Sequence, residues 1–357
     1  MNYVRRIAGL RHNMKQKGLD GCIILDRSNT HYLTGFRGTS SMIIIMHDVL
    51  LFITDFRYFH RAVKDLPPGY EALVQKGDMS DQIKSFFNVR GKIHIGFEPT
   101  ISYEKYQWLR ESVRPARLRE ASGLLKPLRM IKDEDEISRI KKAASIVDEC
   151  MEYISKELRA DLTEREVAIK IRRFFEDKGA EGESFPTIVA SGPNSAVPHH
   201  ETSNRKLQQG DVVLIDMGCR YEGYCSDMTR TLFLGSATDE EKNIYRIVLE
   251  AQKKGLKAVR PGISAGKLDN VVRDAISRAG YQEAFGHKTG HGVGIDIHEP
   301  PTVAPSSGEL LKEGMIITIE PGIYLPDVSG VRIEDLLMVT AQGAVRLSKF
   351  PKELTIL

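Results

Sequence analysis

Apolar positions recur at helical spacing near the amino terminus, where Val4, Ile7, Leu10, Met14 and Leu19 predict an amphipathic helix. The runs GCIILD, SMIIIMH and VLLFITD follow. They are rich in β-branched residues and short enough for strands, and His47-Asp48 supplies a hairpin turn between the last two. Ile93–Phe97 predicts another strand and Tyr103–Ser112 a helix, so residues 1–122 alternate as an α/β unit does. Ser122-Gly123 and Pro127 break the pattern and place a linker at 123–132. Asp133-Glu134-Asp135-Glu136 then opens a long helix with acids at its positive end, and Ile137, Ile140, Ala144, Val147, Met151 and Ile154 form its packed face. A second domain is expected over 133–357.

Within that domain the pattern repeats. The first copy runs TEREVAIKIRRFFEDKG, a loop with His199 and His200, then GDVVLIDMG; the second runs GKLDNVVRDAISRAG, a loop with His287, His291 and His298, then GMIITIEPG. Thr163 with Glu166, and Thr238 with Glu241, have capping-box spacing and mark helix starts. Each copy ends in a predicted hairpin. The first spans Gly210 to Arg230 and turns at Tyr221-Glu222 or Glu222-Gly223. The second pairs Met315–Tyr324 with Val331–Val339, with Pro326-Asp327 and Ser329-Gly330 in the turn. Either turn in the first hairpin pairs even with odd positions, which puts Asp216 and Asp227 on one face. The second hairpin carries Glu320 and Glu334, and the second copy adds the glycine-flanked His291 in TGHGVG.

Composition narrows the function classes. At 357 residues, 41% hydrophobic and 28% charged, the chain is an ordinary globular protein long enough for two domains. Its net charge of +3 is interspersed and forms no basic stripe, so neither nucleic acid nor a membrane surface is indicated as a partner. The opening MNYVRRIAGLRHNMKQKGLDG lacks the apolar segment of a signal peptide, and the longest apolar run, Met42–Met46, cannot span a bilayer. The cytoplasm is the expected location. Cys22, Cys150, Cys219 and Cys225 show no paired spacing and are expected to be buried thiols. His31, His60 and Arg57 are scattered and suggest no site.

Two ionised acids sharing a face repel each other unless a cation lies between them. A lone Asp at a strand end is commonly a turn former, and a lone His beside glycines is commonly structural. Four acids at matched places in two hairpins, with one imidazole, point instead to metal. Their four negative charges balance two divalent cations, and oxygen-rich ligation favours Mn²⁺, Co²⁺ or Fe²⁺ over structural Zn²⁺. Two such ions roughly 3.5–4 Å apart acidify a shared water and polarise a carbonyl, which is hydrolase chemistry.

The segments SGPNSAVPHH, IDMGCRYEGYCSDMTRT, TGHGVGIDIHEPP, ITIEPGIY and GVRIEDLLMVT resemble those of the pita-bread metallopeptidases, in the Xaa-Pro dipeptidase (prolidase) and aminopeptidase P branch. The resemblance covers nearly the whole chain. It implies a creatinase-like amino-terminal α/β domain followed by an α+β pita-bread catalytic domain with a pseudo-twofold internal repeat. It also implies two divalent metal ions, usually manganese or cobalt. Asp216 would chelate one, His291 and Glu320 the other, and Asp227 and Glu334 would bridge them. His298 resembles the histidine that contacts the substrate amide and steadies the tetrahedral intermediate. His199 resembles the one near the leaving side or carboxylate, and Arg332 the arginine that orients a ligand. Tyr324 and His287 fall at further active-site positions, whereas His200 has no counterpart role.

The implied reaction is attack by a metal-bridging hydroxide on an Xaa-Pro bond of a short proline-containing peptide, with Glu320 passing the proton to the prolyl nitrogen. Aminopeptidase P, which acts on longer peptides, is the neighbouring alternative, and a non-catalytic binding module is another, although such scaffolds typically lose ligands. The resemblance further implies a homodimer in which the amino-terminal domain of one subunit helps to wall the other's site.

Overall fold

The computed structural model describes residues 1–357, which fall into two compact units, Met1–Arg129 and Met130–Leu357. In the first, the elements in order are α1 (Tyr3–Gln16), β1 (Gly21–Ile24), α2 (Arg27–Thr34), β2 (Met42–Met46), β3 (Leu50–Thr54), α3 (Phe56–Asp65), β4 (Glu71–Val74), α4 (Met79–Asn88), β5 (His94–Phe97), α5 (Tyr103–Ser112) and β6 (Arg117–Glu120), with α6 (Lys126–Met130) at its end. The strands form one sheet in the order β4-β3-β2-β1-β5-β6. All run parallel except β2, which is antiparallel to both neighbours. Ile7, Leu10 and Met14 bury one face of α1, but Val4, in the first turn at the flank of that stripe, is 70% exposed. Helices α2, α3 and α4 and strands β4 and β6 have patterns too short or too polar to stand out. Strand β6 reads RLRE and keeps only Leu118 partly covered.

The second unit continues with α7 (Glu134–Glu157), α8 (Glu164–Asp177), β7 (Ile188–Ser191), β8 (Val212–Met217), β9 (Arg220–Tyr221), β10 (Tyr224–Cys225), β11 (Met228–Phe233), α9 (Asp239–Ala258), α10 (Ala265–Arg278), β12 (Gly290–Gly292), β13 (Glu299–Val303), β14 (Ile316–Ile319), β15 (Gly322–Leu325), β16 (Ser329–Arg332), β17 (Asp335–Thr340) and β18 (Gly343–Arg346). Capping boxes start α7, α8 and α9, pairing Asp133 with Glu136, Thr163 with Glu166 and Thr238 with Glu241.

The repeat is evident in the sheets. Strands β11-β8-β7 form one and β13-β12-β14-β17-β18 the other, so a helix pair and three corresponding strands occur twice. One apolar cluster lies under each half. Ile146, Val147, Ile171, Phe175, Val189 and Ile215 belong to the first, and Val248, Leu268, Val272, Ile317, Ile319 and Leu337 to the second. The first hairpin turns at Glu222-Gly223, since Tyr221 pairs with Tyr224 and both turn residues have positive φ, 45° and 84°. The second turns across 326–328, with Asp327 at φ 60°. Ser329 and Gly330, expected in that turn, instead open β16 and pair with Leu325 and Tyr324. The backbone NH of Gly330 meets Ser195 Oγ at 2.8 Å, and a side chain there would collide with the Ser195 carbonyl. No helix is long and apolar enough to cross a membrane.

Candidate metal centre

Both hairpins break their ladders where the acids lie. In the first, Asp216 lies one residue before the end of β8, opposite Thr229, and Asp227 precedes β11 two residues before Thr229, so Asp216 and Asp227 project from the same face as that threonine. In the second, Ile319 pairs with Asp335 and Gly322 with Arg332, which sets Glu320 opposite Glu334 in the gap between the two pairings. The acids of the first hairpin are therefore diagonal neighbours and those of the second face each other. His291 comes from β12, where Gly292 pairs with Ile317 and the His291 backbone NH donates to Thr318 Oγ1 at 3.1 Å. The corresponding position in the first half, opposite Leu214 on β7, is the buried Ala190. The two halves thus supply five candidate donors, not six.

Ligand atoms of Asp227, His291 and Glu334 lie within 4.8 Å of one another. His291 Nδ1 is 3.1 Å from the Gly292 carbonyl, an acceptor only, so Nδ1 carries the proton and Nε2 presents a lone pair. That lone pair faces Asp227 Oδ2 at 3.5 Å and Glu320 Oε1 at 3.4 Å. Burial lowers the His291 pKa, which keeps the ring neutral. Burial raises the pKa of Asp227 well above the usual carboxylate range, helped by Glu334, Asp216 and Glu320, and burial with Glu320 and Asp216 does the same to Glu334. Glu320 is pushed up by burial to about 7, against the opposing pull of Arg332. Asp216 Oδ1 is buried without a hydrogen-bond partner. Lone pairs converging from strands on two hairpins, with one buried oxygen left over, fit divalent metal ions.

Around this cluster a network fixes geometry. Arg332, 3% exposed, donates from Nη2 to Asp216 Oδ2 at 2.7 Å, from Nη1 to the Tyr324 hydroxyl at 2.9 Å and the Pro198 carbonyl at 3.2 Å, and from Nε to Thr229 Oγ1 at 3.1 Å. Tyr324, raised by burial to about 12, stays a phenol and donates to His287 Nε2 at 2.9 Å, because His287 Nδ1 already donates to the Lys288 carbonyl at 2.8 Å. Burial and Arg332 lower the His287 pKa to about 4, so it is neutral near pH 7. His298 is exposed, packs edge-on against His291 with ring centroids 4.3 Å apart, and makes no hydrogen bond. Burial and the neighbouring His291 lower its pKa. His199 is also exposed and makes no hydrogen bond; it borders the cluster through its electrostatic effect on His287 and His298.

Several supporting residues gave no sequence signal. Thr229 Oγ1 donates to Glu334 Oε2 at 2.8 Å and links the two hairpins. Arg230 is fully buried and binds Asp335 Oδ1 at 2.8 Å together with the carbonyls of Glu334, Phe350 and Pro351, locking the backbone that carries Glu334. Asp335 is held from its other oxygen by Lys352 at 2.6 Å and Gln252 at 2.9 Å. Lys132 pairs with Glu299, beside His298, at 2.7 Å in a buried contact. A charged residue between two threonines reads as exposed, so nothing in the local sequence marks Arg230 as interior.

Two pseudo-symmetric acid-bearing hairpins and one imidazole define the metal-dependent hydrolase class, with a structurally separate α/β unit ahead of it. Residues 138–341 match the family described as Metallopeptidase family M24, and residues 6–131 the Creatinase/Prolidase N-terminal domain. The chain belongs to metallopeptidase family M24. It is 36% identical over 344 residues to the Xaa-Pro dipeptidase of Pyrococcus horikoshii, covering 96% of each chain. Among solved structures, the Xaa-Pro dipeptidase from Bacillus anthracis superposes with a TM-score of 0.96 at 40% identity over the full length of both chains. The X-Pro aminopeptidase from Thermotoga maritima MSB8 gives 0.89 at 34% identity over 97% of this chain and 100% of its own.

Proposed function

We propose that this protein is an Xaa-Pro dipeptidase in which Asp216, Asp227, His291, Glu320 and Glu334 hold two divalent metal ions. The observation that carries this reading is the unprotonated Nε2 of His291 aimed at the carboxylates of Asp227 and Glu320. Such ions, which we assign as manganese with cobalt, iron or zinc as alternatives, would supply when bound an acidified water and Lewis-acid polarisation of the scissile carbonyl. Asp216, Asp227, His291, Glu320 and Glu334 would hold these ions, Asp216 toward one and His291 with Glu320 toward the other, with Asp227 and Glu334 as ligands shared by the site.

The chain's own groups complete the reaction. Arg332 fixes the orientation of Asp216 and, through Tyr324, the ring of His287. His298 hydrogen-bonds the substrate amide and steadies the tetrahedral intermediate. Glu320, with 18% of its side chain exposed against 6% for Asp227, is the carboxylate that reaches the substrate side and passes a proton to the prolyl nitrogen. His199 meets the leaving side or the free carboxylate of the dipeptide. Residues 133–357 form the catalytic domain in this reading, 1–122 the creatinase-like domain and 123–132 the link. A homodimer and a cytoplasmic location belong to it too. The location is supported by four cysteines that are all free thiols.

The dipeptidase names of the relatives at high coverage support the substrate assignment. The likeness to an X-Pro aminopeptidase favours a second reading, action on longer peptides. Proline release from an Xaa-Pro dipeptide with added Mn²⁺, abolished by a chelator, is the expected result. Turnover of a matched tripeptide in preference to the dipeptide would favour the aminopeptidase, and no metal-dependent release from either would overturn both readings. Light scattering at micromolar concentration is expected to give twice the chain mass.

A further inference from the structure

One buried carboxylate outside the metal cluster gathers more donors than any of the candidate ligands. Glu164, in the first turn of α8, has no solvent exposure. Its Oε1 accepts from the backbone NH of Ser191 at 2.8 Å, Ser191 Oγ at 2.7 Å and Asn194 Nδ2 at 2.9 Å. Its Oε2 accepts from His200 Nε2 at 2.8 Å, the backbone NH of Ser203 at 3.0 Å and Ser203 Oγ at 2.7 Å. Burial alone raises the pKa of this carboxyl, but the donors outweigh it and bring it down to about 2, so the group is an anion throughout the working range. Such a full complement is more than helix capping requires, since a first-turn acid meets the dipole from the surface.

All six donors come from one stretch, 191–203, whose opposite side faces the candidate site. Within it the Pro198 carbonyl accepts from Arg332, Ser195 Oγ accepts from the Gly330 backbone NH, and His199 projects outward next to His200. Adjacent residues of an irregular segment can point opposite ways, so His200 inward on Glu164 and His199 outward are two ends of one local conformation. Releasing His200 frees the backbone that aims His199, while Ser191, Asn194 and Ser203 still hold the ends of the stretch.

We propose that Glu164 and His200 form a positioning pair that sets the 191–203 segment so that His199 and the Pro198 carbonyl meet the leaving side of the substrate. This rests on the dipeptidase reading for its kinetic consequence, but the fixation of the segment does not. His200 touches no reacting atom. It acts through His199, and its loss is felt in substrate binding more than in the chemical step.

The test compares His200→Ala, His200→Gln, His199→Ala and the His199→Ala/His200→Ala double variant in the full-length, Mn²⁺-loaded protein. A hydrogen bond to a buried anion corresponds to about tenfold to hundredfold in an equilibrium constant. His200→Ala should therefore raise KM for an Xaa-Pro dipeptide by about tenfold or more, with kcat within about twofold and metal content unchanged. Gln can still donate its side-chain amide to Glu164, and should restore KM to within about threefold. The double variant should have the KM of His199→Ala alone, because the two residues work through one contact.

Amide hydrogen exchange without substrate should show residues 195–202, between the ends that Asn194 and Ser203 still hold, opening about tenfold faster in His200→Ala and no change elsewhere in the second unit. Unchanged exchange in that segment would overturn the proposal, as would additive effects in the double variant or a KM equal to wild type. If the wild-type protein released no proline, the function reading would fail, while the exchange measurement would still decide whether the pair fixes the segment.

Discussion

Removing the metal should destabilise the protein more at pH 8.0 than at pH 5.5, and the size of the difference follows from the carboxyl cluster. Glu320 has its pKa pushed to about 7 by burial, from an ordinary value of 4.5. A carboxyl whose folded value lies above its unfolded one stabilises the fold fully only below the unfolded value, and that contribution is lost as pH rises through the folded value. Between pH 5.5 and about 7, the metal-free folded state holds one proton that the unfolded chain has released. At roughly 1.4 kcal/mol per pH unit this amounts to about 2 kcal/mol from Glu320 alone. Asp227 and Glu334 are raised for the same reasons and act in the same direction. Divalent ions displace those protons and cancel the repulsion, so they stabilise most where the acids would otherwise be ionised. With roughly 2–4 °C per kcal/mol for a unit of this size, chelation should lower Tm by about 4–8 °C more at pH 8.0 than at pH 5.5. Paired thermal scans of chelated and Mn²⁺-loaded protein at both values read this directly. A chelator effect equal at the two pH values, or larger at pH 5.5, would mean that the metal-free fold does not hold these protons.

Arg230→Met removes one of two cationic partners of the buried Asp335, which keeps Lys352, and leaves carbonyls of Glu334, Phe350 and Pro351 short of a donor; at about 1–3 kcal/mol for a buried acceptor left unsatisfied, the loss should be measurable by denaturant unfolding, with a loss of activity because the Glu334 backbone is released. Arg332→Lys keeps the charge but cannot reach Asp216, Tyr324, Pro198 and Thr229 together, so metal affinity should fall about tenfold to hundredfold by competitive chelator titration. Tyr324→Phe leaves His287 Nε2 without its donor and should lower kcat/KM about tenfold while metal content, checked on the same sample, stays intact.

What could be read from the sequence and what could not divide along physical lines. Asp216, Asp227, Glu320 and Glu334 stand at the ends of strongly apolar β-branched runs, and strand parity alone puts the first two on one face. The internal repeat was legible because it reuses a helix pattern and a strand pattern in the same order. The ladder breaks were not, since a strand interrupted by one or two residues keeps its composition; hence Ser329-Gly330 read as turn although both lie in β16. Glu164 looks like any acid complementing a helix dipole, and only the folding back of 191–203 supplies its donors. Arg230 sits between Thr229 and Thr231 in a polar run that reads as exposed, yet the second hairpin and the carboxyl-terminal segment cover it. Contacts between residues a hundred positions apart leave no trace in local spacing.

The central claim is that paired acids and one imidazole from two related hairpins hold metal ions that activate the water for hydrolysis. The most direct measurement is elemental analysis of purified protein alongside proline release from an Xaa-Pro dipeptide, for wild type, Asp216→Asn and Glu334→Gln. Close to two transition-metal ions per chain are expected in the active wild type, with metal and turnover lost together in both variants. Full turnover from protein without bound metal, or from either variant, would contradict that claim.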